Sequence, residues 1–230
     1  MLHFELFDPA APAFLRTVEI APTALVIAGW AGRDRAAVDH HIAELAALGV
    51  KPPSSVPTFY RAAAALLTHA TRVEVLGPDS SVEVEPALVR LDDGWWLGVA
   101  SDHTDRKAES FGVALSKQMC AKPIGRRLVR LEAVREDWDA LALRAHATFD
   151  GARALYQDGR LAALRTPDDL LARLAAAGTE LPVGGVMLGG TLGAIGGVRP
   201  STRFAMSLEA PNGAWRIEHA YDVAVLPVVS

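Results

Sequence analysis

Cysteine is almost missing from this chain: Cys120 is the only one in 230 residues. An intramolecular disulfide is therefore impossible, and zinc sites built from several thiolates are excluded. Also missing is any run of roughly 18 apolar residues, the length of a membrane-spanning helix. Met1 to Asp8 carries acidic residues where a secretion signal needs a basic start and a long apolar run. The expected location is a reduced cytoplasm, with no membrane partner. Lys and Arg are scattered rather than clustered, and the formal net charge is −4 with a pI near 6.0. The electrostatic footprint of a nucleic-acid binder is absent. No Gly-x-Gly-x-x-Gly leads from a strand into a helix. Gly184-Gly185 and Gly189-Gly190 sit inside a strand-like run, which argues against a dinucleotide site. Neither the serines nor Cys120 stands in an elbow-type nucleophile motif, so Cys120 reads as packing.

What is present is globular: 50% of residues are hydrophobic and 22% charged. The length suits one domain, or a core with a small N-terminal lobe. A mean hydropathy of +0.18 favours burial in an oligomer.

The pattern predicts short strands at Leu2 to Leu6 and Leu25 to Trp30. Asp34 to Leu48 reads as a helix with Val38, Ile42 and Leu45 on its core side, stopped by Gly49 and the Pro52-Pro53 pair. Arg72 to Leu76, Ser81 to Leu91 and Trp95 to Ala100 alternate as strands, separated by Gly77-Pro78-Asp79 and Asp92-Asp93-Gly94 turns. Leu131 to Ala177 is predicted to be largely helical, its last helix opened by Thr166-Pro167 and closed by Gly178. Strands return from Leu181 to Ser230. Strands, a helical interruption and strands again imply the α+β class.

Three clusters could carry chemistry. In Val82-Glu83-Val84-Glu85-Pro86, strand alternation puts both carboxylates on one face. Paired like charges are unfavourable unless a cation lies between them, and an all-oxygen set suits a hard ion such as Mg²⁺, Mn²⁺ or Ca²⁺. A solvated edge-strand face would show the same pattern. Asp102 follows the next strand, where the hairpin returns it toward Glu83 and Glu85 as a third carboxylate; a polar loop is the other reading. His41 and Glu44 are neighbours at i, i+3 on the first helix, an arrangement that raises imidazole basicity and also occurs by chance on surface helices. The remaining histidines show no ligand spacing; His69 could line a pocket or be a satisfied surface residue.

In order, these pieces resemble the catalytic domain of the fumarylacetoacetate hydrolase superfamily. His41-x-x-Glu44, Gly49, Pro52-Pro53 and Pro57-Thr58-Phe59-Tyr60-Arg61 match its opening helix, proline loop and Pro-x-x-Phe/Tyr-Lys. Glu83 and Glu85 follow as Glu-x-Glu. Ser101-Asp102-His103-Thr104-Asp105-Arg106-Lys107 stands where the family has Asn-Asp-x-Ser/Thr-x-Arg-Asp. Lys117 and Pro123 match a later lysine and proline. Leu181-Pro182-Val183-Gly184-Gly185 and Gly189-Gly190-Thr191-Leu192 match Leu-x-Pro-Gly-Asp and Thr-Gly-Thr-Pro turns. The likeness covers residues 25 to 210, and the whole chain looks most similar to the branch known as DUF2848. Ser101, Lys107, Arg61 and both late turns depart from the pattern, so the substrate shell differs more than the metal ligands.

The resemblance implies a mixed β-sandwich roll, with residues 1–24 as an N-terminal strand lobe, 25–230 as the catalytic domain and a helical insertion. It implies a homodimer. It implies Mg²⁺ or Mn²⁺, with Ca²⁺ a further candidate, held by Glu83, Glu85 and Asp102. His41 would be the general base, oriented by Glu44, and Arg61, Arg106, Lys117 and Thr191 would bind substrate carboxylate or oxyanion. The implied reaction is hydrolytic or decarboxylative C–C cleavage of a small 2-oxo or β-diketo acid. Tautomerisation or dehydration of a 2-keto-3-deoxy acid on the same site, or ligand binding without turnover, are the alternatives.

Overall fold

A computed structural model describes residues 1–9, 11–47 and 51–229, with the side chains of residues 11–13, 41, 44 and 45 left undescribed. Two sheets dominate. The larger has eight strands: β1 (Leu2–Asp8), β2 (Ala11–Ile20), β3 (Ala24–Gly29), β4 (Thr58–Ala62), β8 (Val84–Leu91), β9 (Gly94–Ser101), β12 (Arg127–Arg130) and β15 (Gly185–Leu188). Their spatial order is β2-β1-β12-β9-β8-β15-β3-β4. The smaller joins β6 (Arg72–Leu76), β13 (Ala142–Phe149), β14 (Ala152–Arg160), β16 (Arg203–Glu209) and β17 (Arg216–Leu226) in the order β14-β13-β16-β17-β6. Two short ladders pair β5 (Leu67–Thr68) with β11 (Lys122–Pro123) and β7 (Ser80–Ser81) with β10 (Thr104–Asp105). The helices are α1 (Arg35–Ala47), α2 (Arg106–Glu109), α3 (Val113–Met119), α4 (Leu131–Val134) and α5 (Pro167–Ala176).

The facing sides of the two sheets meet in one core. Val26, Leu97, Val99 and Met187 come from the large sheet and Leu143, Phe204, Met206 and Ile217 from the small one, all essentially buried. Phe4, Leu6, Ile27, Val89, Trp96 and Leu188 form a second core from the opposite side of the large sheet. Each fully buried aliphatic or aromatic side chain contributes about 1.5–3 kcal/mol. This is the α+β mixed-sheet architecture expected. The segment expected to form an N-terminal lobe supplies β1 and β2, which extend the large sheet through parallel pairing of β1 with β12.

The helical reading of Leu131 to Ala177 is corrected. Only α4, α5 and two short 3-10 turns are helical, and β13 and β14 form an antiparallel hairpin between them. The buried residues of β13 alternate as Leu143, Ala145 and Ala147, a strand period. Phe149 pairs with Ala152 across Asp150-Gly151, whose φ angles of 50° and 79° turn the chain tightly. The α5 boundaries are as expected: the Thr166 hydroxyl accepts from the Asp169 N–H, Pro167 opens the helix, and Gly178 follows at φ 79°. Helix α1 starts one residue after Asp34, whose carboxylate accepts from the N–H groups of Ala36 and Ala37. The expected stop at Gly49 lies outside the described residues. Among the described residues, no helix is long and apolar enough to cross a membrane.

Candidate metal centre

The β8–β9 hairpin builds the site. Leu91 pairs with Gly94 and leaves Asp92-Asp93 as the loop; this register sets Val84 opposite Ser101. Asp102 therefore emerges beside Glu83, and its N–H donates to the Glu83 carbonyl at 2.9 Å. Val82 and Val84 are buried in the core between the sheets, so the intervening carboxylates turn the other way. One ligand oxygen from each of Glu83, Glu85 and Asp102 lies within 4.8 Å of the others.

Glu85 is only 2% exposed and Asp102 0%. Such burial is costly unless the charges are compensated. Lys117 Nζ is 3.1 Å from Glu83 Oε2 and also contacts Asp102 Oδ2. Lys122 Nζ is 2.9 Å from Asp102 Oδ1 and donates to the His103 carbonyl at 2.6 Å. Arg106 donates to Glu83 Oε1 at 2.8 Å, to Glu109 at 3.1 Å and to the Ser81 hydroxyl at 2.8 Å. The Gly190 N–H donates to Glu85 Oε2 at 2.8 Å.

These surroundings set the two glutamates apart. Burial pushes Glu83 up, but the Lys117 ammonium and Arg106 guanidinium outweigh it and hold the carboxyl well below its usual range. Burial, reinforced by the charge of Asp102, pushes Glu85 well above that range. Asp102 Oδ1 is buried, and among the described residues no donor is aligned on it as a hydrogen bond. A cluster of three acidic oxygens with one misaligned and one driven toward protonation is a donor set that a hard divalent cation fits.

A cavity of about 810 Å³ opens onto Glu83, Glu85, Arg106 and Lys117. Trp30 and Tyr60 line it, with the Trp30 indole N–H donating to the Tyr60 hydroxyl at 3.3 Å. Trp30 holds φ 60°, which turns the chain out of β3 toward α1. Ala37 and Val38 bring the first turns of α1 to the cavity wall. His41 and Glu44 lie one to two turns further along that helix; their side chains lie outside the described residues.

The substrate-binding candidates divide. Arg106 and Lys117 face the cavity, carried on α2 and α3, two short helices that the sequence reading did not anticipate. Thr191 also lines it, but its hydroxyl donates to the Val84 carbonyl at 2.8 Å and accepts from Gln157 at 2.9 Å, so it clamps the Gly190 loop to β8. Arg61 is not brought there: it is exposed on β4, and strand alternation gives its neighbour Tyr60 to the cavity instead.

The sequence reading passed over Lys122, and His103 proves structural. The His103 ring is buried between the Tyr221 hydroxyl at 3.0 Å and the Ser80 hydroxyl at 2.9 Å. Tyr221 donates to Ser101 at 2.9 Å, so His103 carries its proton on Nδ1 and accepts at Nε2. Burial, with Lys122 and Arg106 nearby, lowers it to about 3. Ser101, fully buried, belongs to this same hydrogen-bonded chain through Tyr221.

The profile of the family described as "Protein of unknown function (DUF2848)" matches residues 28–221. No curated protein matches the sequence. Among solved structures, yeast ynq8, a fumarylacetoacetate hydrolase family protein, is similar with a TM-score of 0.62 at 17% identity, covering 90% of this chain and 95% of that one. A fumarylpyruvate hydrolase candidate from Burkholderia cenocepacia gives 0.63 at 18%, covering 97% and 92%. A 2-keto-3-deoxyarabinonate dehydratase gives 0.65 at 14%, covering 89% and 75%. The fold is thus that of the fumarylacetoacetate hydrolase family.

Proposed function

We propose that this chain, which belongs to the DUF2848 family, is a divalent-metal-dependent enzyme acting on a small 2-oxo or β-diketo acid. One observation carries the reading: Glu83 and Glu85 line a cavity large enough for a small acid, and a carboxylate oxygen of buried Asp102 lies within 4.8 Å of theirs. They would hold Mg²⁺ or Mn²⁺. When bound, that ion supplies Lewis acidity at a substrate carbonyl.

The chain's own residues supply the rest. Arg106 and Lys117 face the space where a substrate carboxylate would sit. Tyr60 and Trp30 give the cavity an aromatic wall. His41, with Glu44, would take a proton from water, whose oxygen joins the acyl carbon; the same proton then passes to the departing carbon as the C–C bond breaks. The likeness to the dehydratase favours loss of water from a 2-keto-3-deoxy acid as a second reading. Assembly as a homodimer belongs to the same proposal, and sedimentation velocity measures it.

Thermal unfolding of wild type and Glu85→Ala, with and without Mg²⁺ and Mn²⁺, tests the site. An ion that binds only the folded state raises the midpoint by mass action. The expected result is a rise in wild type that is lost in Glu85→Ala. No rise at saturating metal would end the metal-centre reading. Product analysis with a panel of oxo acids then separates cleavage from dehydration, and absence of turnover across the panel would favour a binding protein.

A further inference from the structure

Lys117 occupies oxygens that a metal ion would have to claim. Its ammonium contacts Asp102 and lies 3.1 Å from Glu83, two members of the ring of oxygens that Glu83, Glu85 and Asp102 form. Asp102 is 0% exposed, and among the described residues it does not reach the cavity surface, whereas Lys117 does. An ion arriving from the cavity therefore meets Lys117 before Asp102.

Charge makes the same point. The carboxylates of Glu83, Glu85, Asp102 and Glu109 already face the three cations Lys117, Lys122 and Arg106. With all four ionised, adding a divalent ion would turn one excess negative charge into one excess positive charge, which is unfavourable in a low dielectric and is relieved if one cation leaves. The three are not held equally. Lys122 is completely buried and also bonded to the His103 carbonyl. Arg106 is tied to Ser81, Glu83 and Glu109. Among the described residues, the hydrogen bonds of Lys117 run only to Glu83 and Asp102, two of the ligands the ion would claim, and Lys117 lines the cavity. The Tyr60 ring, 5.8 Å from Nζ, offers a face on which the ammonium can rest outside the ring of oxygens.

We propose that Lys117 is a built-in counter-ion, which the metal displaces into the cavity. This rests on the metal-centre reading above. Metal-free, Lys117 neutralises the buried carboxylates and keeps the site folded. Metal-bound, it is turned toward the substrate's carboxylate. Metal binding and oxo-acid binding are then coupled, with the metal preceding the acid.

Calorimetric titration of Mg²⁺ and Mn²⁺ into chelator-treated wild type, Lys117→Met and Lys117→Gln tests this. An affinity reduced by a competing closed state recovers when that state is removed, so both neutral variants should bind metal about tenfold tighter or more. Their metal-free melting points should fall, because the carboxylates lose a counter-ion, and the metal-induced rise should grow. In wild type, reductive methylation of Lys117, read by mass spectrometry, should quicken when Mn²⁺ is added. Binding in wild type with equal or weaker affinity in both variants, or unchanged methylation, would overturn displacement while leaving the metal site standing. No binding to wild type or to either variant would overturn both. Should Lys117→Met fail to fold without metal, Lys117→Gln and the wild-type methylation decide.

Discussion

Asp102 Oδ1 and Lys122 Nζ lie 2.9 Å apart, and both side chains are completely buried. Neither charge has water to fall back on. Removing one partner of a buried pair costs about 3–5 kcal/mol where the other is left uncompensated; Lys117 still contacts Asp102, which puts the loss of Lys122 at the low end. Lys122→Met is therefore expected to destabilise the chain by about 3 kcal/mol, read as a lower urea midpoint at constant slope. The double variant Lys122→Met, Asp102→Leu should recover part of that loss, since it removes both charges. A single variant as stable as wild type would mean the pair is solvated.

His69 ties the protein's stability to mild acid. It is 8% exposed, packs edge-on against Phe4 and bonds the Ile124 carbonyl through Nδ1 at 2.8 Å, while Nε2 has no partner among the described residues. Burial lowers its pKa; the Ile124 contact opposes this, and Arg126, His219 and His3 add to it. The folded state thus binds the proton less readily than the unfolded chain. Stability from His69 is fully present above the unfolded pKa of about 6.5 and is lost as pH falls below it, at up to about 1.4 kcal/mol per pH unit. His69→Gln, which keeps a donor for Ile124, should lose less stability than wild type between about pH 7.5 and pH 5.5. Parallel curves would sink the assignment.

The β13–β14 hairpin shows why part of the fold was hidden in the sequence. Ala, Leu and Arg dominate Ala142 to Arg160 and are strong helix formers, so propensity pointed to helix. Sheet pairing with β16 overrode it, and the one local signal was Asp150-Gly151. At Gly151 an added Cβ meets nothing within 4 Å, so only the φ of 79° opposes a side chain there. Gly151→Ala should therefore destabilise by about 1 kcal/mol in urea titration, and no loss would imply that the turn adopts another form.

The carboxylates were legible because strand alternation and an Asp-Asp-Gly turn fix which residues meet. The cations around them were not. Arg106 and Lys117 ride on α2 and α3, helices of four and seven residues, too short for a periodic pattern. Lys122 sits in a two-residue ladder with no motif, and its burial follows only from parallel pairing of β11 with β5. Arg61 was assigned to the site by its position after Phe59-Tyr60, but alternation along β4 gives the cavity to Tyr60.

Gly190 shows how closely the backbone must approach this site. It holds φ 95°, and an added Cβ would lie 2.7 Å from the Ala31 Cβ, an atom that cannot swing aside. Its N–H is the donor to Glu85 Oε2. Gly190→Ala must therefore shift the loop and pull that donor from Glu85. The expected cost is about 2 kcal/mol or more in urea titration, together with weaker Mn²⁺ binding by calorimetry. Gly193→Ala is the control: it lines the same cavity, yet its added Cβ meets nothing within 4 Å. If Gly190→Ala matches Gly193→Ala in both measurements, the Gly190 loop does not hold Glu85 in place. If it loses metal affinity while Gly193→Ala does not, the glycine serves the carboxylate rather than the turn alone.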